Sequence, residues 1–188
     1  PLTLYDCCPT SDGASAVILV ADHLAHQFTD TPIWVKGSGA GSDKLALHDR
    51  PSLTQLRATQ LASQKAYSLA NLQPHQIDLA EVHDCFTIAE VLATEDLGFA
   101  GRGEGGLFAR NGQGRRNEGD VAINASGGLK SKGHPLGATG TGQAVEVFKQ
   151  LRHEVESTRQ VRDAEIGLTH NVGGSGATCA VHIFGRER

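Results

Sequence analysis

Apolar residues along this chain come in short bursts, separated by glycine, proline and polar clusters, and their period switches between two and about three and a half. Residues 14–21 (ASAVILVA) follow Asp12-Gly13 as a continuous apolar run, which predicts a buried strand. Residues 33–36 predict a second short strand, ended by the glycines of 37–41. Residues 54–70 carry apolar side chains at helical spacing through Leu56, Leu61, Ala62, Ala66 and Leu69, with Asn71 and Pro74 as the stop. A strand over 78–82 leads into His83-Asp84-Cys85-Phe86, and 87–97 predict a helix closed by Gly98. A glycine-rich loop follows over 101–119, then a strand over 121–125. A helix-like run covers 143–151, and strands over 166–169 and 177–184 enclose a turn at 171–176. Strands alternate with helices, so the fold class is α/β. No internal repeat at a fixed period is visible.

The segment 127–142 (GGLKSKGHPLGATGTG) carries the most chemistry. Its glycines let backbone approach a ligand closely. The helix start behind it presents free N–H groups and a partial positive charge, which suit an anion or a developing oxyanion. His134 falls where a donor could face a polarised carbonyl. A plain strand-to-helix turn with a surface histidine is the alternative.

Two further loops follow predicted strands: 83–86 and 170–176. In an open α/β sheet, loops after the carboxyl ends of strands converge on one edge. His83, Cys85, His134, His170 and Asn171 could therefore share a site if the strand order allows it. Cys85 lies near a predicted helix start, a position that lowers a thiol pKa. It reads as an acid/base group or nucleophile, or else as an inert buried cysteine. His83 and His134 could together bind a carbonyl oxygen. A metal is the rival ligand, needing a third donor such as Asp84 or His170, and no two histidines have metal-type local spacing.

Composition narrows the picture. A chain of 188 residues suffices for one packed domain, and a net charge of −4 does not suggest a nucleic-acid surface. No apolar run has membrane-spanning length, and the first residues lack the pattern of a secretory leader. Cys7, Cys8, Cys85 and Cys179 include no CxxC pair, so reduced thiols in a cytoplasmic setting fit better than structural zinc or disulfides. The motifs Gly37-x-Gly39-x-Gly41 and Gly101-x-Gly103-x-x-Gly106 match dinucleotide fingerprints only loosely. Arg102, Arg110, Arg115 and Arg116 make a basic loop best read as solvated, and Trp34 reads as core.

Three motifs in this order resemble the C-terminal half of a thiolase. The strongest is Gly127-Gly128 with Gly133-His134-Pro135-Leu136-Gly137-Ala138-Thr139-Gly140. The second is His83-Asp84-Cys85-Phe86, where many thiolases carry Asn-Glu-Ala-Phe. The third is His170-Asn171-Val172-Gly173-Gly174-Ser175-Gly176, where those enzymes carry a Cys-x-Gly-Gly-Gly loop. The Ser11-Asp12-Gly13-Ala14 stretch resembles the last part of the thiolase N-terminal half. The HDCF and HNVGGSG forms are similar to the sterol-carrier-protein-type thiolases and the acetoacetyl-CoA thiolases related to them.

The resemblance implies a mixed five-stranded sheet flanked by helices. It places residues 1–30 at the end of the N-terminal domain and 31–188 in the C-terminal domain. It implies thiolytic cleavage or Claisen condensation of acyl-CoA, with Cys85 as acid/base and His83 and His134 on the thioester enolate oxygen. Asn171 stands where the usual second cysteine would be. Gly133, Gly173 and Gly174 would shape the oxyanion hole and substrate pocket. The family's nucleophilic cysteine lies in the N-terminal half, so this chain alone is expected to be inactive. Coenzyme A enters as a substrate thioester, with no separate cofactor or metal. Expected partners are copies of the chain with the N-terminal half, and an OB-fold zinc-ribbon protein. Two other classes stay open: a thiolase-like aldolase of steroid side-chain breakdown, and a non-catalytic CoA-binding or scaffold subunit.

Overall fold

The glycines at 37, 39 and 41 continue the second predicted strand instead of ending it. The computed structural model describes residues 2–188, and in it β1 runs Trp34–Ser42 straight through all three. Their role is packing. Helix α1 (Arg57–Ala70) lies so close to β1 that a Cβ on Gly37, Gly39 or Gly41 would sit 2.2, 2.0 or 2.2 Å from the carbonyl oxygens of Ala66, Ala62 and Ala58. Alternate strand positions thus meet successive turns of the helix, and only hydrogen fits between them. The glycine Cα–H groups face helix carbonyls, a recurring weak hydrogen-bond geometry. Ala58, Ala62 and Ala66 are fully buried in this contact.

The remaining strands are β2 (Leu79–Glu81), β3 (Ala122–Ile123), β4 (Ile166–Gly173) and β5 (Thr178–Gly185). They form one mixed sheet in the order β1-β5-β4-β2-β3. β5 pairs antiparallel with both β1 and β4, whereas β2 pairs parallel with both β4 and β3. The five-stranded mixed sheet flanked by helices is therefore the fold observed. Helices α2 (Thr87–Asp96) and α3 (Gly105–Arg110) share the α1 face, where Ala80, Val82, Phe108, Val121, Leu168, Val181 and Ile183 join one core. Helix α5 (Thr139–Leu151) covers the opposite face, where Leu79, Ala122, Val147 and Leu151 form a second core. Neighbours Leu79 and Ala80 enter opposite cores, as the pleat requires.

The helix predicted over 54–70 begins at Arg57, because Asp96 accepts from the Leu56 N–H at 2.7 Å and from the Gln60 amide at 2.8 Å. It stops at Asn71, which takes a left-handed conformation with φ 53°. The loop at 101–119 contains α3, and β4 absorbs Asn171, Val172 and Gly173, leaving only a tight turn at Gly174–Gly176.

One prediction fails outright. Residues 14–21 form no strand, and Ile18 and Leu19 are 89% and 79% exposed. A strand needs a ladder partner, and the two sheet edges are β1 and β3. This segment lies instead along the 135–138 loop, where the Ser15 hydroxyl donates to the Ala138 carbonyl at 2.7 Å and Gly13 abuts Pro135. A run of apolar residues records that a segment is to be covered, not what will cover it.

Because the atom facing Gly39 is helix backbone, no side-chain rotation can make room for a methyl group. Gly39→Ala should destabilise by about 1–3 kcal/mol or more, whereas Gly106→Ala, in α3 with open space around it, should be neutral or stabilising. Urea unfolding midpoints of the two variants test this, and equal midpoints would refute the packing account.

Candidate active site

Parallel pairing of β4, β2 and β3 sends three chain segments out of the sheet at one edge. The segment after β2 is His83-Asp84-Cys85-Phe86, the segment after β3 carries the glycine–histidine–proline motif, and β4 ends in the Gly173-Gly174-Ser175-Gly176 turn. The convergence expected from the sequence is realised, and side-chain bonds fix the loops to one another.

Asp84 makes the first link. It is 3% exposed, and its carboxylate accepts from the N–H groups of Leu129 (2.7 Å) and Lys130 (3.3 Å) at the start of the short helix α4, Gly128–Lys132. The approach requires glycine: Gly127 and Gly128 have φ of 92° and 65°, and a Cβ on Gly128 would sit 2.2 Å from an Asp84 oxygen. Glu81 makes a second link, accepting from the Ser126 N–H (3.0 Å) and hydroxyl (2.5 Å) while Lys132 lies 3.5 Å away. Arg50 makes a third, donating to the Ser175 carbonyl at 2.8 Å and to the Lys44 carbonyl at 2.7 Å.

These links bring two imidazoles together. The rings of His83 and His134 meet edge to face with centroids 4.8 Å apart. Burial, with the neighbouring His134, pulls the His83 pKa down to about 4, and burial also lowers His134. Both are therefore neutral at pH 7. His83 Nδ1 faces the Asn171 amide nitrogen at 3.2 Å, and His134 Nδ1 faces the Thr139 hydroxyl at 2.7 Å. Behind them His170 is fully buried, its Nδ1 accepting from the His83 N–H (3.4 Å) and its Nε2 bonded to the hydroxyl of Thr59 (2.9 Å). Its pKa falls to about 3 through burial and the His83 ring.

Cys85 departs from expectation in its titration. A helix start lowers a thiol pKa, but Cys85 precedes α2 by two residues, and burial pushes its thiol up, reinforced by the nearby Cys8. Its resting form is the thiol. Cys8 faces it across a short antiparallel bridge, with the Cys8 N–H donating to the Cys85 carbonyl at 3.0 Å.

Cys85, His83, His134, Gly173 and Gly174 line one cavity of about 480 Å³, together with apolar side chains that include Leu56, Ile88, Leu92 and Val172. Asn171 stands behind His83. Gly133 lies outside the cavity wall: with φ of 87° it ends α4, and a Cβ there would strike the Ser11 hydroxyl at 1.9 Å. The two candidate third metal donors have other partners, Asp84 in the α4 amides and His170 in Thr59 and His83. Arg102 is held by Asp96 and Glu95 beside α2, and Cys179 is buried in β5 with its thiol pushed up to about 11. Trp34 is half-buried, with the Arg188 guanidinium 5.8 Å from its ring. Sequence reasoning missed Cys8, Thr139 and Gln143. The latter two are four apart on α5, so they share one helix face toward the loops, and a polar pair at that spacing just after the motif was the available signal.

Comparison with known proteins agrees with this geometry. Residues 39–186 match the family described as thiolase C-terminal domain-like, and the chain belongs to that family. It is 55% identical over 99% of its length to an acetyl-CoA acetyltransferase of Methanothermobacter thermautotrophicus, and 42% identical over its full length to one of Methanocaldococcus jannaschii. The human sterol carrier protein 2 is 38% identical over 94% of the chain. The chain spans about half the length of the two acetyltransferases, 48% and 49%. Among solved structures, one described as an Ltp2-ChsH2(DUF35) aldolase superposes over the whole chain and 48% of its own, with a TM-score of 0.85 and 25% identity.

The buried imidazoles make a prediction about acid. In the unfolded chain His83 and His170 bind protons below about pH 6.5, whereas in the fold they do so only near 4 and 3. Between those limits the unfolded state holds more protons, so stability is complete above about pH 6.5 and declines as pH falls. The expected slope is about 1.4 kcal/mol per pH unit for each histidine. Glu81 and Glu90, raised by burial, oppose it from their elevated folded-state pKa down to the ordinary carboxylate value. Denaturant midpoints between about pH 7 and pH 5 should fall more steeply in the unaltered chain than in His83→Gln; parallel profiles would mean that the His83 imidazole titrates as in water.

Proposed function

We propose that this chain is the C-terminal part of an acetyl-CoA acetyltransferase or 3-ketoacyl-CoA thiolase, with Cys85 as its acid/base group. The observation carrying the reading is the meeting of Cys85, His83 and His134, from two separate loops, on one cavity with both imidazoles neutral.

In the cleavage direction, a nucleophilic thiolate bonds to the β-carbonyl carbon of a 3-ketoacyl-CoA, the bond between the α- and β-carbons breaks, and its electron pair stays on the α-carbon of the departing acetyl-CoA. That carbanion is an enolate, with charge on the thioester oxygen. The imidazole N–H groups of His83 and His134 hold the oxygen, and the Cys85 thiol gives its proton to the carbon. Cys85 then regains a proton from incoming coenzyme A, whose sulfur takes the acyl group and releases the nucleophile's thiolate, and condensation runs the same steps backward. A thiol kept protonated by burial is the right resting form for the donor. Thr139 is amphoteric, so His134 can present Nε2 either as a donor or as a base toward a nucleophile. By the family resemblance that nucleophile is a cysteine of the N-terminal half, of which residues 1–30 would be the end. The exposed apolar run at 17–20 is a surface for the rest of that half to cover. Residues Gly173 and Gly174 shape the cavity wall, and coenzyme A thioesters are the only small molecules the reading requires. A cytoplasmic setting and association with an OB-fold zinc-ribbon protein accompany it.

The resemblance to an aldolase structure keeps carbon–carbon cleavage without an acyl-enzyme as a second reading. Thiolysis dependent on added coenzyme A separates the two. For the first reading, Cys85→Ala in the protein that contains this chain should slow deuterium exchange at the α-carbon of acetyl-CoA by about 10²–10⁴-fold. Exchange at the unaltered rate would remove Cys85 from acid/base chemistry.

A further inference from the structure

The amides behind His83 dictate which of its ring nitrogens carries the proton. Gln143, on α5, is 1% exposed, and its side-chain nitrogen lies 3.0 Å from the backbone carbonyl of His170. A carbonyl oxygen only accepts, so the amide is oriented with its NH₂ toward His170 and its Oε1 toward Asn171. Asn171 must then present its own NH₂ to that oxygen, at 3.3 Å. The same Asn171 nitrogen lies 3.2 Å from His83 Nδ1. A proton on Nδ1 would set it donor against donor with the Asn171 NH₂, so Nδ1 accepts and the single ring proton of neutral His83 sits on Nε2. His83 Nε2 has no protein partner among the described residues, and it is not sealed away like the unpartnered atoms of Arg116 and Gln160. It is left for the cavity that His83 lines.

We propose that Gln143 is a positioning residue: through Asn171 it locks His83 in the Nε2–H tautomer, making it a permanent hydrogen-bond donor to the cavity. His134 contrasts with it. Its Nδ1 partner, the Thr139 hydroxyl, has one proton and two acceptors in reach, His134 Nδ1 at 2.7 Å and the Pro135 carbonyl at 3.1 Å. Turning that hydroxyl lets the proton of His134 sit on either nitrogen. One helix face thus holds one imidazole as a fixed donor and leaves the other free to exchange its role. That the fixed donor serves a thioester oxygen rests on the acyltransfer reading above; the lock itself does not.

Long-range proton–nitrogen correlation spectra of protein labelled with [¹⁵N]histidine report the tautomer directly, with His83→Gln assigning the signal. His83 should show Nε2–H in at least about tenfold excess, the preference that one uncompensated buried donor enforces. In Gln143→Leu, Asn171 loses its orienting acceptor and the ratio should fall toward about 1:1. In Asn171→Asp, an acceptor replaces the donor and the proton should move to Nδ1. Wild-type protein with the proton on Nδ1, or the Nε2–H preference persisting undiminished in either variant, would overturn the proposal. If Gln143→Leu does not fold, Gln143→Met replaces it with the same expected loss of preference, and the wild-type and Asn171→Asp spectra test the Asn171 step by themselves. A locked Nε2–H in a protein that exchanges no acetyl-CoA protons would spare the lock and sink the acyltransfer reading. Mixed tautomers in an active enzyme would do the reverse.

Discussion

Because β2 pairs in parallel with both its neighbours, the chain has to leave the sheet three times at the same edge. Everything of chemical interest depends on that constraint. A parallel pair cannot be closed by a tight hairpin, so β2 and β3 must each be followed by a long connection, which starts beside the tight turn that leads β4 into antiparallel β5. β2 is only three residues long and β3 only two, yet all of β2 is buried between two helical layers. Their shortness keeps His83, Asp84 and Cys85 close to the layer of fixed backbone below them. The packing of α1 against the glycines of β1 does the complementary work at the other side of the sheet, holding the helix that carries Thr59 near His170.

Buried polar groups convert this convergence into a defined geometry. Asp84, Glu81, Gln143 and His170 are each almost fully buried, and each bonds across from its own strand, helix or loop to another. An unmade bond at any of them would leave a desolvated group without a partner, at a cost of about 1–3 kcal/mol. Alternative loop arrangements are penalised several times over, which apolar packing alone would not achieve because it lacks direction. His170 is central to this scheme: its ring holds the His83 N–H, and its carbonyl orients Gln143.

The sequence disclosed the architecture unevenly, for physical reasons. Alternation of apolar bursts with helical spacing located every strand of the sheet, although β1 only at its start, and the order of motifs placed Cys85, His83 and His134 together. The failures share a cause. Glycines 37, 39 and 41 looked like a strand terminator, since nothing local reveals that a helix will approach to contact distance. Residues 14–21 looked like a strand, since apolar content reports burial without naming the partner. Gly133 looked like part of the pocket, but its conformation serves to end α4 against Ser11. Gln143 went unnoticed because a glutamine on a helix is ordinarily solvated; only the tertiary position of the His170 carbonyl makes it decisive. Local chemistry was legible, and tertiary partners were not.

The cavity's electrostatics follow from the same design. Among the described residues no lysine, arginine, aspartate or glutamate lines it, and its titratable members are two cysteines and two histidines held in their neutral forms. Negative charge developing there would meet oriented dipoles rather than a cation. That distinction matters for selectivity between states. A cation would attract any anion that entered, whereas a neutral N–H fixed in place binds an uncharged carbonyl weakly and gains strength as charge accumulates on the oxygen. The apolar surroundings that depress the imidazole pKa also strengthen that gain, because the local dielectric is low. Burial therefore performs two tasks with one arrangement. It keeps the imidazoles uncharged and the thiols protonated before reaction, and it enlarges the stabilisation available to an enolate once the proton of Cys85 is in play. A site of this kind needs its donors aimed beforehand, since neutral groups exert no long-range pull to correct a poor orientation, and the amide relay from Gln143 through Asn171 supplies that aim.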